Sequence, residues 1–156
     1  MTKKTRAFTI EYSGIVNMLE TEIKVSESFN PEENENVIYP PIFEYKSIWD
    51  TGATNSVISS NVVNKLGLTP IGKIKVFHAD GSSFMYTYLV NIFLPNDVIF
   101  ASLIVTESKL PSGTDILIGM DIISTGDFTI TASQGKTKFS FQFPSTHDTD
   151  YEKEYL

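Results

Sequence analysis

A chain of 156 residues with 41% hydrophobic and 20% charged residues has the size and apolar content of one globular domain, which excludes disorder throughout. The absence of cysteine excludes a disulfide framework, a thiolate nucleophile and a cysteine-ligated metal. The net charge of −7 is confined to residues 26–36 (Glu27, Glu32, Glu33, Glu35) and residues 144–156 (Asp148, Asp150, Glu152 and Glu154 against Lys153), so a neutral body offers nothing to a phosphate backbone, and no nucleic-acid partner is expected.

In chain order, Met1 to Arg6 is basic, but Ala7 to Ser13 contains Glu11 and no apolar run of signal or spanning length, so no membrane association and a cytoplasmic location are expected. Alternation predicts strands over about 6–12 and 15–26. Residues 26–41, with four Glu, three Asn and three Pro, have no period and read as a mobile acidic loop. From Ile42 to Trp49, Phe43, Tyr45 and Trp49 fall on one side and Ile42, Glu44, Lys46 and Ile48 on the other, the period of a strand. Ser59 or Ser60 caps a short helix through Leu66 that Gly67 ends. Strands over 71–78 and 83–94 flank Asp80-Gly81, a type I′ turn signal that demands positive φ at both residues.

Pro95-Asn96-Asp97 turns the chain into a strand over 97–107. The apolar run Ile116-Leu117-Ile118 reads as a short strand broken by Gly119, followed by a helix over Met120–Ser124 that stops before Gly126. Strands over 127–132 and 137–143 surround the reversal at Gln134-Gly135. Residues 1–145 therefore form one all-β domain, a barrel or sandwich, and the polar, acidic segment 146–156 is expected to be a disordered tail.

One place suits chemistry. Asp50-Thr51-Gly52-Ala53 puts a carboxylate where a strand ends and a tight turn begins, with a hydroxyl beside it and a glycine that lets an amide approach the carboxylate. Taken alone, the tripeptide is also an ordinary Asx turn. No His-Glu-x-x-His and no Gly-x-Ser-x-Gly occurs, so neither a metal nor any other cofactor is expected, and His147 beside Asp148 and Asp150 reads as solvated tail.

An apolar pair before Asp-Thr-Gly-Ala, followed some sixty residues later by Ile116-Leu117-Ile118-Gly119 opening a short helix, resembles the retropepsin-like aspartic proteases, and bacterial and retroelement members in particular. The resemblance implies a closed acid-protease β-barrel with one or two short helices and a flap hairpin. It implies Asp50 as the catalytic residue, Thr51, Gly52 and Ala53 as dyad support and contacts to substrate backbone, Asp80, Gly81 and Ser82 as the flap tip, and Leu117 and Ile118 as subsite lining. Peptide hydrolysis in this family needs two carboxylates, and one Asp-Thr-Gly per chain implies a homodimer acting on a peptide or protein substrate. The alternative is a non-catalytic module of the same fold that binds peptide or dimerises. Met120 and Thr54 stand where retroviral members have an Arg and an Asp that pair, which implies a different dimer contact. Ala53 stands where pepsin-like enzymes often have Ser, so the carboxylate loses a hydroxyl donor and an activity optimum nearer weakly acidic or neutral pH than strongly acidic pH is expected.

Overall fold

The computed structural model describes residues 4–32 and 38–154. In chain order its elements are β1 (Arg6–Glu11), β2 (Leu19–Glu27), β3 (Ile42–Trp49), β4 (Val57–Ile58), α1 (Ser60–Leu66), β5 (Gly72–His78), β6 (Gly81–Phe93), β7 (Ile99–Glu107), β8 (Ile116–Ile118), α2 (Met120–Ile123), β9 (Asp127–Thr131), β10 (Lys138–Phe143) and the one-turn α3 (Tyr151–Glu154). The pairing order β2-β3-β8-β4-β7-β6 returns to its start, because β6 also pairs with β2. A ring without a free edge results, from which β5 projects on the outer half of β6. Val25, Ile58, Val90, Val105 and Ile116 fill it and are wholly buried.

β1, β10 and β9 form a second, antiparallel sheet of three strands. Its Phe8, Phe128, Phe139 and Phe141 close around Trp49 of the barrel, the Phe128 ring lying parallel to the indole at 5.7 Å. Trp49 is thus shared by both layers, and its Nε1 donates to Thr21 Oγ1 at 2.9 Å.

Several expectations are corrected. The first barrel strand starts at Leu19 rather than at residue 15; Val16 and Gly14 are held instead in a loop by the Thr137 hydroxyl and amide. At the tip of the long hairpin His78 pairs with Gly81, so the two loop residues are Ala79 and Asp80, and only Gly81 takes a positive φ (144°). A glycine at the first strand position absorbs the unusual torsion without a Cβ clash, so Asp80 need not. Positive φ at two successive loop residues occurs instead at Gln134 and Gly135. Ser59 does flank α1 as its N-cap, yet its hydroxyl donates to Asp115 Oδ1 at 2.7 Å and caps no amide. In the acidic segment, Ser26 and Glu27 belong to β2, and Phe29 stacks on Phe93 and meets Tyr39 edge to face, so both ends of that loop are anchored; Glu33 and Glu35 lie outside the described residues.

Residues 145–147 are held against β9. The Ser145 hydroxyl donates to Asp127 Oδ1, and the Thr146 and His147 amides donate to Oδ2 at 2.8 and 3.0 Å. Burial pushes the Asp127 carboxyl up, but these donors and the His147 ring outweigh it and hold the group at about 2, below its ordinary 3.8. A carboxyl depressed by folding stabilises wherever its unfolded counterpart is ionised. The tether is therefore fully present above about pH 4 and lost as pH falls through about 2. Asp127→Asn is expected to release residues 145–154 at neutral pH, measured as faster amide exchange there while β10 stays protected.

Candidate active site

The site is built on a crossing of two loops. β3 and β8 run parallel, with Trp49 opposite Ile118, and the Asp50 amide donates to the Ile118 carbonyl at 2.9 Å, so the carboxylate leaves the sheet at a fixed point. The chain then turns: the Ala53 amide donates to the Asp50 carbonyl at 3.2 Å and the Gly52 amide to Asp50 Oδ1 at 2.8 Å. A Cβ on Gly52 would stand 3.1 Å from that oxygen, so a larger residue would crowd the carboxylate. Asp50 is half-buried, and Thr51 and Gly52 are exposed beside it.

The second loop locks onto the first. The Met120 amide donates to the Ala53 carbonyl at 2.8 Å and the Asp121 amide to the Thr54 carbonyl at 3.1 Å. The Asp121 carboxylate in turn takes the Ser56 hydroxyl at 2.7 Å and the Ser56 amide at 2.8 Å, while the Gly119 amide donates to Ser56 Oγ at 3.1 Å. A Cβ on Gly119 would lie 2.6 Å from the Asn55 carbonyl carbon, so only glycine lets the two loops touch. Sequence reasoning passed over Ser56 and Asp121, whose signal is faint: an Asp in the first turn of a short helix, and a Ser 65 residues away. Met120 and Thr54 each join this crossing through backbone groups, Met120 with Ala53 and Thr54 with Asp121.

A family model described as aspartyl protease matches residues 44–122, from β3 through α2 and just over half of the sequence. The chain belongs to the aspartyl protease family. Among solved structures, this aspartyl protease is similar to a retropepsin-like aspartic protease from Rickettsia conorii, at 12% identity and a TM-score of 0.50, over 91% of this chain and 98% of that one. It is also similar to the EIAV protease complexed with the inhibitor HBY-793, at 16% identity and a TM-score of 0.49, over 72% of this chain and 90% of that one. No curated protein sequence matches. The fold is retropepsin-like, mostly β with few short helices.

The residues expected around Asp50 in this aspartyl protease divide into three groups. Asp50, Thr51, Gly52 and Ala53 sit together on the crossing, and Leu117, half-buried, lies on β8 opposite Ile48 and Val57. Ile118 is wholly buried in the core, so its side chain packs the barrel and lines no subsite; strand alternation sends it to the opposite face from Leu117. Asp80, Gly81 and Ser82 are exposed at the hairpin tip, and no described residue of the hairpin lines the pocket of about 550 Å3 beside Asp50. Its walls include Ile15, Met18, Trp49, Phe128 and Ile130. No helix among the described residues is long and apolar enough to cross a membrane.

Proposed function

We propose that this aspartyl protease is an endopeptidase that works as a homodimer, the Asp50 of each copy supplying half of the catalytic pair. One observation carries the reading: Asp50 is held at the rim of an open pocket in which, among the described residues, it is the one acidic side chain. A single carboxylate cannot act at once as base toward water and acid toward the peptide carbonyl. Two carboxylates close together titrate in separate steps, so one is ionised while the other holds a proton, as in aspartic protease dyads. The ionised Asp50 takes a proton from water, the water oxygen bonds to the carbonyl carbon, and the protonated Asp50 of the second copy gives its proton to the carbonyl oxygen. Collapse of the tetrahedral diol then breaks the C–N bond as a proton passes to the leaving amine. Thr51 supports the pair, Gly52, Ala53 and Leu117 contact the bound peptide, and the hairpin tip at Asp80, Gly81 and Ser82 excludes water.

Support for the second copy comes from the same surface. Ile15, Met18 and Ile130 border the pocket and are each about half exposed, an apolar rim that a partner chain would cover. The chain lacks cysteine and suits a reducing compartment, and we place the enzyme in the cytoplasm.

The test compares the parent and Asp50→Asn for peptide cleavage and for mass by ultracentrifugation. The parent is expected to cleave as a dimer, with the variant inactive and still dimeric. Cleavage that survives the change, or a parent that stays monomeric at every concentration, removes the reading.

A further inference from the structure

The hairpin carries a charge pattern that the catalytic chemistry leaves unused. On β5, Lys73, Lys75 and Phe77 stand directly opposite Tyr86, Phe84 and Ser82 on β6, so these six side chains share one face. Phe84 and Tyr86 lie on the same side of β6 as Tyr88, Val90 and Ile92, which are buried in the barrel. This face therefore continues the barrel's interior surface past its rim. It is not apolar: Phe77 and Phe84 are 76% and 71% exposed, the Lys73 ammonium lies 4.7 Å from the Tyr86 ring centroid, and the Lys75 ammonium lies 5.3 Å from that of Phe77.

Register ties the root of this face to the strand that ends at Asp50. Thr87 pairs with Thr106, Thr106 with Val57, Val57 with Leu117, and Leu117 with Ile48, two residues before Asp50. Four ladder pairs thus join the hairpin root to the strand that carries Asp50. Seven residues of β5, at about 3.3 Å each, give it a reach of roughly 23 Å. Among the described residues neither Lys73 nor Lys75 is in a salt bridge, and Asp80, the hairpin's own acidic residue, lies in the turn beyond Phe77.

Resting on the reading of the chain as an aspartic endopeptidase, we propose that Lys73 and Lys75 select substrates: an extended peptide with two carboxylate side chains spaced i and i+2. Lysines two apart on a strand present their ammonium groups about 7 Å apart on one side, the repeat at which an extended peptide shows side chains on its facing side. The aromatic rings hold the lysine stems over the cleft and leave the ammonium groups free to meet anions.

Three fluorescent peptides test this, alike except for Glu at i and i+2, Glu at i and i+1, or Gln at both positions. Each is assayed for cleavage by the parent and for binding to Asp50→Asn by fluorescence anisotropy, so the binding arm reads selectivity even if no chain cleaves. The i, i+2 peptide is expected to lead the Gln peptide by about tenfold at low salt, the scale of two exposed charge pairs, and to lose that lead at high salt. In K73E/K75E the order is expected to reverse, with a Lys-x-Lys peptide preferred, a gain that a merely damaged hairpin cannot produce. Equal binding of all three peptides, an equal lead for the i, i+1 peptide, or an unchanged order in K73E/K75E would overturn the proposal. Binding selectivity without cleavage by the parent would sink the protease reading and leave this one standing.

Discussion

Mixed with a roughly threefold excess of Asp50→Asn chains and allowed to exchange, the wild-type protein is expected to keep about one quarter of its activity per wild-type chain. Random pairing leaves about one wild-type chain in four with a wild-type partner, and a mixed dimer holds one carboxylate where two are needed. Asp50→Asn alone is expected to lose at least about a thousandfold in kcat/KM, since the amide can neither take the water's proton nor supply one. The substitution should leave the fold intact, because an Asn side-chain oxygen still accepts from the Gly52 amide that now bonds Oδ1 at 2.8 Å. A site complete within one chain gives a different result: activity per wild-type chain does not change on mixing. The measurement is initial rate against mixing ratio, and the curvature of that plot distinguishes a shared dyad from a private one.

The second large effect is on stability. Trp49→Ala is expected to cost about 3–5 kcal/mol, because it removes the largest side chain of a closed aromatic cluster and leaves a void between two layers. Four phenylalanine rings within 5.9 Å of the indole, and the hydrogen bond from Nε1 to Thr21, lose their partner at once. At this chain length the melting temperature should fall by about 10 °C or more. Trp49→Phe should recover much of the loss, since a ring still fills most of the space while the buried Thr21 hydroxyl gives up one donor. Because Trp49 directly precedes Asp50, activity should fall before the barrel melts, with the three-stranded sheet loosening first. Trp49 is the one Trp of the chain, so in the parent its emission reports on this cluster. Unfolding followed by fluorescence should precede unfolding followed by far-UV circular dichroism if the sheet loosens first, and coincide with it if the molecule unfolds as one unit.

Most of the strands were legible because their alternation is local. Phe43, Tyr45 and Trp49 reveal the face of β3 without knowledge of any neighbour, and Gly67 ends α1 through its own left-handed torsion of 65°. The Asp-Thr-Gly and the later apolar run were legible as a pair, for their order and spacing hold in one dimension. What escaped were features made by partners distant in sequence. Ser56 and Asp121 are 65 residues apart, and nothing near either announces the other. Residues 146 and 147 read as tail because they are polar, yet Asp127, some twenty residues earlier, collects their amide donors. Ile118 read as subsite lining because it adjoins the motif, but alternation on a strand of three residues turns it inward beside Ile116.

Asp50 therefore marks the division between the two sources. The sequence by itself determined that a carboxylate ends an apolar strand ahead of a glycine turn, and that each chain holds one Asp-Thr-Gly, because both depend only on residue type and order. The tertiary structure alone decided what holds that carboxylate: the Ile118 carbonyl, the Ser56–Asp121 brace, the glycine contact at Asn55 and the aromatic cluster around Trp49. These contacts join segments tens of residues apart, and they exist only once burial has driven the barrel and the three-stranded sheet to close on each other.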